Sequence, residues 1–217
     1  MIAELITIIY LYHSSSRICN IFVVMKMINY GKYKNVRNAA WQVLIDYKIN
    51  KLPVKVTNIV KQANIKLLNN SDCNFLKNNQ LGVSIYIENE WYIIVDDTMK
   101  IERIRFTIAH ELGHIFLGHE SLLHRTPNSI FIEKPEEETE ADMFAARLLA
   151  PACVLWGLNL RTPEEIAKIC NISYQAAVYR AKRIEILYKR NMFLTSDLEK
   201  QVYSNFSEFI NNYKKEE

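Results

Sequence analysis

Arg105-Phe106-Thr107-Ile108-Ala109-His110-Glu111-Leu112-Gly113-His114 is the stretch whose reading decides the rest of the chain. Ile108, Leu112 and Ile115 recur at helical spacing, so the segment is expected to be an amphipathic helix with that stripe turned to a core. His110 and His114 stand on another face, four residues apart. Side chains at that separation are neighbours on a helix, with Cβ atoms roughly 5–6 Å apart. Both imidazoles can therefore reach one zinc ion at about 2.0–2.1 Å. Glu111, beside the first histidine, can face the open side of the metal and take a proton from the attacking water as general base.

A catalytic zinc needs a third protein ligand. The pattern H-E-x-x-H-x-x-G-x-x-H would supply it as a histidine, but here Gly118 and His119 each miss the required position by one residue. That class is excluded, and His119, just past the helix end, is expected at the surface. Residues 136–149 read as a second helix, on which Glu138 and Asp142 share a face four residues apart. A glutamate so placed can bind zinc, and an acid one turn later can support a ligand histidine from behind. Glu136, Glu137 and Glu140 compete for the ligand position. Compensation of the helix dipole accounts for acids in the first turn but does not require one as far in as Asp142.

Outward from these helices, residues 33–47 carry apolar side chains at helical spacing, and Thr57 is placed to cap a short helix over 58–63. The polar run 69–79 reads as loop. Residues 83–87 and 91–95 form a hairpin signal around a turn at 88–90, and Asp96, Asp97 and Thr98 are cap candidates for the histidine helix, which Gly118 ends. Pro151 stops the acidic helix. Thr162-Pro163-Glu164-Glu165 is a strong helix start, and Ser173 and Ser196 open further helices. The expected fold class is α+β: a zincin-like metalloprotease core with a small β-sheet and an active-site helix, followed by a helical C-terminal tail. The expected divisions are an apolar extension over 1–26, a peptidase domain over 27–160 and a helical region over 161–217.

Hydrophobic residues at 49% and charged residues at 24% are ordinary for a globular chain, and a net charge of +3 is too small to argue for nucleic acid. Neither apolar run before Met27 is long enough to span a bilayer, so no membrane association is expected. The four cysteines are scattered without a C-x-x-C pair, which points to free thiols in a reducing, cytoplasmic setting.

The histidine segment, taken with Glu138-x-Glu140-Ala141-Asp142-x-Phe144-Ala145-Ala146-x-Leu148-Leu149-Ala150-Pro151, resembles the ImmA/IrrE family of metallo-endopeptidases. The resemblance implies a gluzincin-type zinc protease in which His110, His114 and Glu138 bind Zn2+ and Glu111 is the catalytic acid/base. It places Asp142 where the family has Asn or Asp, behind a ligand histidine, and it leaves Glu140 without an assigned role. Ala150 departs from the methionine usual before the proline, away from the site. The resemblance further implies a protein substrate, a transcriptional repressor of the helix-turn-helix type from a phage, mobile element or stress response.

One rival reading comes from the tail. Residues 162–184 have the outline of a helix-turn-helix carrying Tyr174, Gln175, Tyr179, Arg180, Lys182 and Arg183, as a DNA-binding regulator would need. From Thr162 onward, however, nine basic residues face eight acidic ones, so DNA contact is the weaker expectation. Packing onto the peptidase part, or docking of the repressor, accounts for the tail better. A purely structural zinc is disfavoured because two histidines with carboxylates leave a position open.

Overall fold

The structure is a computed structural model that describes residues 36–77, 79–119 and 135–216. The apolar extension before Met27, residues 33–35 of the first expected helix and the loop with Pro127 lie outside the described residues.

The hairpin forms where the β-rich runs predict it. Strands β2 (Gly82–Ile87) and β3 (Glu90–Val95) pair antiparallel from Gly82↔Val95 to Ile87↔Glu90. The turn is tighter than expected: Glu88 and Asn89 alone close it, with φ of 49° and 65°. Positive φ at both positions gives a turn whose twist matches that of the strands. A third strand, β1 (Lys66–Asn69), joins the far side of β3 in parallel, so β3 is central and the order is β1-β3-β2. Side chains of β3 alternate between two apolar layers. Ile93 and Val95 join the main core, whereas Tyr92 and Ile94 pack with Val83, Ile85 and Cys73 on the other face.

Helix α1 (Val36–Asp46) buries Ala39, Ala40, Trp41, Val43 and Leu44. Helix α2 (Val56–Gln62) begins at Lys55 with no side-chain cap, so Thr57 lies inside the helix rather than capping it. The run read as loop contains a one-turn helix, α3 (Asn70–Cys73). Asn70 Oδ1 then accepts from the amides of Phe75 and Leu76. The histidine helix, α4, spans Ile101–Leu117 and ends on Gly118 as expected, but its N-cap is Lys100. The three cap candidates are engaged elsewhere. Asp96 accepts from the amide and hydroxyl of Thr98, and Asp97 holds the amide and hydroxyl of Ser71. Short polar side chains here satisfy their own turn first.

The acidic helix, α5 (Pro135–Leu149), packs along α4 and against α1. Pro151 stops it and at once precedes α6 (Ala152–Gly157), which was not anticipated. The tail follows as α7 (Pro163–Cys170), α8 (Tyr174–Lys189), α9 (Asp197–Asn205) and α10 (Ser207–Glu216). Thr162 and Glu165 form the expected capping box, and Ser173 and Ser196 cap α8 and α9. Ile166, Ile184, Val202 and Phe206 of the tail share one apolar core with Leu44, Phe116, Phe144 and Leu148. Buried Arg105 of α4 reinforces that docking by donating to the carbonyls of Cys170 and Asn171, at 3.1 and 3.0 Å, where α7 ends.

Among the described residues no helix is long and apolar enough to cross a membrane. Cys73, Cys153 and Cys170 are free and buried.

Candidate metal centre

Two close approaches set the site. At Gly113 the helices α4 and α5 touch. A Cβ there would lie 3.1 Å from Ala141 Cα and 3.3 Å from Phe144 Cβ, closer than side chains normally pack. Ala141 is itself fully buried, so small residues meet on both helices. Glu138, one turn before Ala141 on α5, is thereby held against His110, one turn before Gly113 on α4, and His114, the residue after it. On the opposite flank β2 crosses α4 at Gly82, where any side chain would run into Thr107 Cγ2. Glu111 Oε1 lies 3.4 Å from that same point, which sets the carboxyl between helix and sheet.

The ligand atoms converge. His110 Nε2 lies 3.0 Å from His114 Nε2 and 3.2 Å from Glu138 Oε2, and His114 Nε2 lies 3.4 Å from Glu138 Oε1. Four atoms bound at about 2.0–2.1 Å in a tetrahedron around zinc stand about 3.3–3.4 Å apart. These separations are of the size of the edges of a zinc tetrahedron, one Glu138 oxygen facing each histidine, and the donor set of two imidazoles and one carboxylate suits zinc. Among the described residues these three are the cluster able to hold a metal ion. Of the competing acids, Glu136 is exposed and Glu140 is turned to another partner.

Each histidine is held from behind. His110 Nδ1 meets Asp142 Oδ1 at 2.8 Å. His114 Nδ1 meets His119 Nδ1 at 3.0 Å, and His119 Nε2 meets Glu140 Oε2 at 3.1 Å. With Nε2 of His114 given to a metal, its Nδ1–H donates to His119, whose Nε2–H donates to Glu140. Every proton in that chain has an acceptor. His119 is therefore not the surface residue its place after the helix suggested, since only 7% of its side chain is exposed. No spacing rule signals this pair, because Gly118 turns the chain back only once the helix has ended. Glu140, to which the resemblance gave no role, is the acid that completes the pair.

The electrostatics agree with the geometry. Burial opposes charge on His110, but hydrogen bonds to Asp142 and Glu138 outweigh it and hold its pKa up at about 9. Hydrogen bonds from His110 and His114 hold Glu138 far below the usual carboxylate range. Burial pushes His119 down, which keeps it neutral and able to accept from His114. Glu111 is 7% exposed, and burial raises its pKa against the pull of His114, His110 and a hydrogen bond with Ser84. A carboxyl with raised pKa beside two histidines and a glutamate is what proton transfer at a metal requires.

Two packed helices of a mixed α+β chain thus present a His-His-Glu cluster of the kind that metallopeptidases use. The family comparison agrees: residues 62–182, more than half of the chain, match the peptidase family described as the IrrE N-terminal-like domain. The chain belongs to the ImmA/IrrE family of metallopeptidases. It is 34% identical over 96 residues to the radiation response metalloprotease IrrE of Deinococcus radiodurans. That alignment covers 40% of this chain and 29% of the relative's length.

Proposed function

We propose that the chain is a zinc-dependent endopeptidase of gluzincin type with a zincin-like core, in which His110, His114 and Glu138 bind the metal. The convergence of the two Nε2 atoms, 3.0 Å apart, on the two oxygens of Glu138 at 3.2 and 3.4 Å, each histidine backed by a further side chain, carries this reading. Bound zinc supplies Lewis-acid polarisation of the scissile carbonyl and makes water available as a nucleophile near neutral pH. Glu111 takes the proton from the attacking water on its carboxylate and delivers it to the leaving amide nitrogen. Burial of Glu111 supports that role, because a raised pKa lets one carboxyl act as base and then as acid. Asp142 and His119 keep the Nε2 atoms of His110 and His114 aimed at the metal. Residues 27–160 form the peptidase unit, and 161–217 a helical region packed on it.

The sheet order supports β2 as the strand that takes a substrate. β3 has partners on both sides, whereas among the described residues β2, beside α4, is paired on one side alone. An extended peptide pairing with the edge of β2 that has no partner among the described residues would pass Gly82 and Ser84, the positions that flank Glu111. A helix-turn-helix repressor as substrate, and a cytoplasmic setting, rest on the family resemblance and on the free thiols rather than on the geometry. The test is co-expression with candidate helix-turn-helix repressors from the same genome. Cleavage is expected with the wild-type chain and none with Glu111→Gln. Cleavage by both would show that Glu111 is not the base.

A further inference from the structure

Behind Asp142, on the side of His110 away from the metal ligands, a cleft of about 570 Å³ runs between α4, α5 and α8. Four arginines line it: Arg103 from α4, Arg147 from α5, and Arg180 and Arg183 from α8. Phe106 and Tyr179 add ring faces, and Tyr179 is 65% exposed. Two acids also reach the cleft, Glu102 and Asp142. Asp142 is held by His110, and among the described residues neither acid comes within ion-pair distance of an arginine. Arg180 and Arg147 use one nitrogen each on a backbone carbonyl, of Ala150 at 2.6 Å and Met143 at 2.9 Å. Among the described residues their remaining guanidinium donors meet no further hydrogen-bond or ion-pair partner.

We propose that this cleft binds a small organic anion of nucleotide size, a phosphate held by the arginine fork set with a flat ring body against Phe106 and Tyr179. Guanidinium groups match phosphate oxygens in pairs and also stack on ring faces. The volume lies within the range of small-molecule sites, roughly 300–1,000 Å³. The crowding of like charge points the same way. Burial, then the neighbouring Arg147, pushes Arg180 down to about 10, and burial, then Arg183 and Arg37, pushes Arg147 down as well. A bound anion would relieve that repulsion. Duplex DNA fits less well, since a convex groove edge cannot follow Arg180 into the recess where it is bonded to Ala150.

The inference is independent of the peptidase reading and is tested by binding alone. Adenosine monophosphate is titrated calorimetrically into the zinc-loaded full chain and into the double variant Arg103→Ala/Arg183→Ala, both positions being exposed. Saturable binding to the wild type is expected, weakened at least tenfold in the variant, with adenosine and inorganic phosphate each at least tenfold weaker than the monophosphate. Absence of binding, equal binding by the variant, or equal binding of inorganic phosphate would overturn the proposal. So would tighter, steeply salt-dependent binding of a DNA duplex lost in the same variant, which would assign these arginines to nucleic acid.

Discussion

His119 Nδ1 stands 3.0 Å from His114 Nδ1 and joins it to Glu140, as Asp142 stands 2.8 Å from His110 Nδ1 on the other side of the site. Neither histidine of the cluster is oriented by its own helix alone. Supports of this kind typically contribute 10–100-fold in metal affinity. His119→Phe is therefore expected to weaken zinc about 10–100-fold while the chain stays folded, and Glu140→Gln is expected to do less. Competitive zinc titration with circular dichroism as the folding control checks this. Unchanged zinc affinity in His119→Phe would make the contact incidental.

Gly113→Ala tests the close approach that brings Glu138 to the histidines. Alanine is the better helix former by about 1 kcal/mol. Here its methyl would meet Ala141 Cα at 3.1 Å, and overpacking of this kind costs about 1–3 kcal/mol. The steric term is expected to win: lower stability in urea together with weaker zinc binding, because α5 is pushed away and carries Glu138 with it. A stabilised variant with unaltered zinc affinity would count against the account.

The metal-free protein should lose stability as pH rises. The pKa of His110 is raised from 6.5 to about 9, so the favourable interaction of its charged form is complete below pH 6.5 and is lost as pH climbs through about 9. The change is on the order of 3 kcal/mol. Thermal melts of the metal-free chain between these values are expected to show the loss, and Asp142→Asn to flatten it. Zinc affinity should run the opposite way and rise with pH, because the metal needs the neutral imidazole. Calorimetry in buffers of different ionisation enthalpy would read the proton released.

Arg105 tests whether the tail is built onto the active-site helix. It gives two charge-assisted hydrogen bonds to carbonyls at the end of α7, where the helix dipole is negative. Arg105→Met is expected to lower stability by about 2–4 kcal/mol, through those bonds and the carbonyls left unpaired. Chemical denaturation measures it, and a loss below about 0.5 kcal/mol, the level of an ordinary surface change, would contradict the packing described.

Much of this was legible in the chain because it depends on local periodicity. The histidine helix, the acidic helix, the hairpin and the caps at Thr162, Ser173 and Ser196 each announce themselves within a few residues. What escaped depends on tertiary position. Lys66–Asn69 places two apolar residues side by side without alternation, and only pairing with β3 makes it a strand. Lys100 starts α4 because Asp97 is drawn to Ser71, a partner 26 residues earlier. Glu138 was singled out among five neighbouring acids by the family resemblance, whereas the contact of Gly113 with Ala141 that brings it to the histidines lies in no spacing rule.

Hydrolysis of an unfolded protein substrate by the zinc-loaded chain, measured beside Glu111→Gln with zinc content determined in both, bears most directly on the central claim. One zinc per chain is expected in each, with peptide-bond cleavage slowed by about 10²–10⁴ in the variant, the range for loss of a general base. A Glu111→Gln chain that keeps its zinc and cleaves as fast as the wild type would contradict the account.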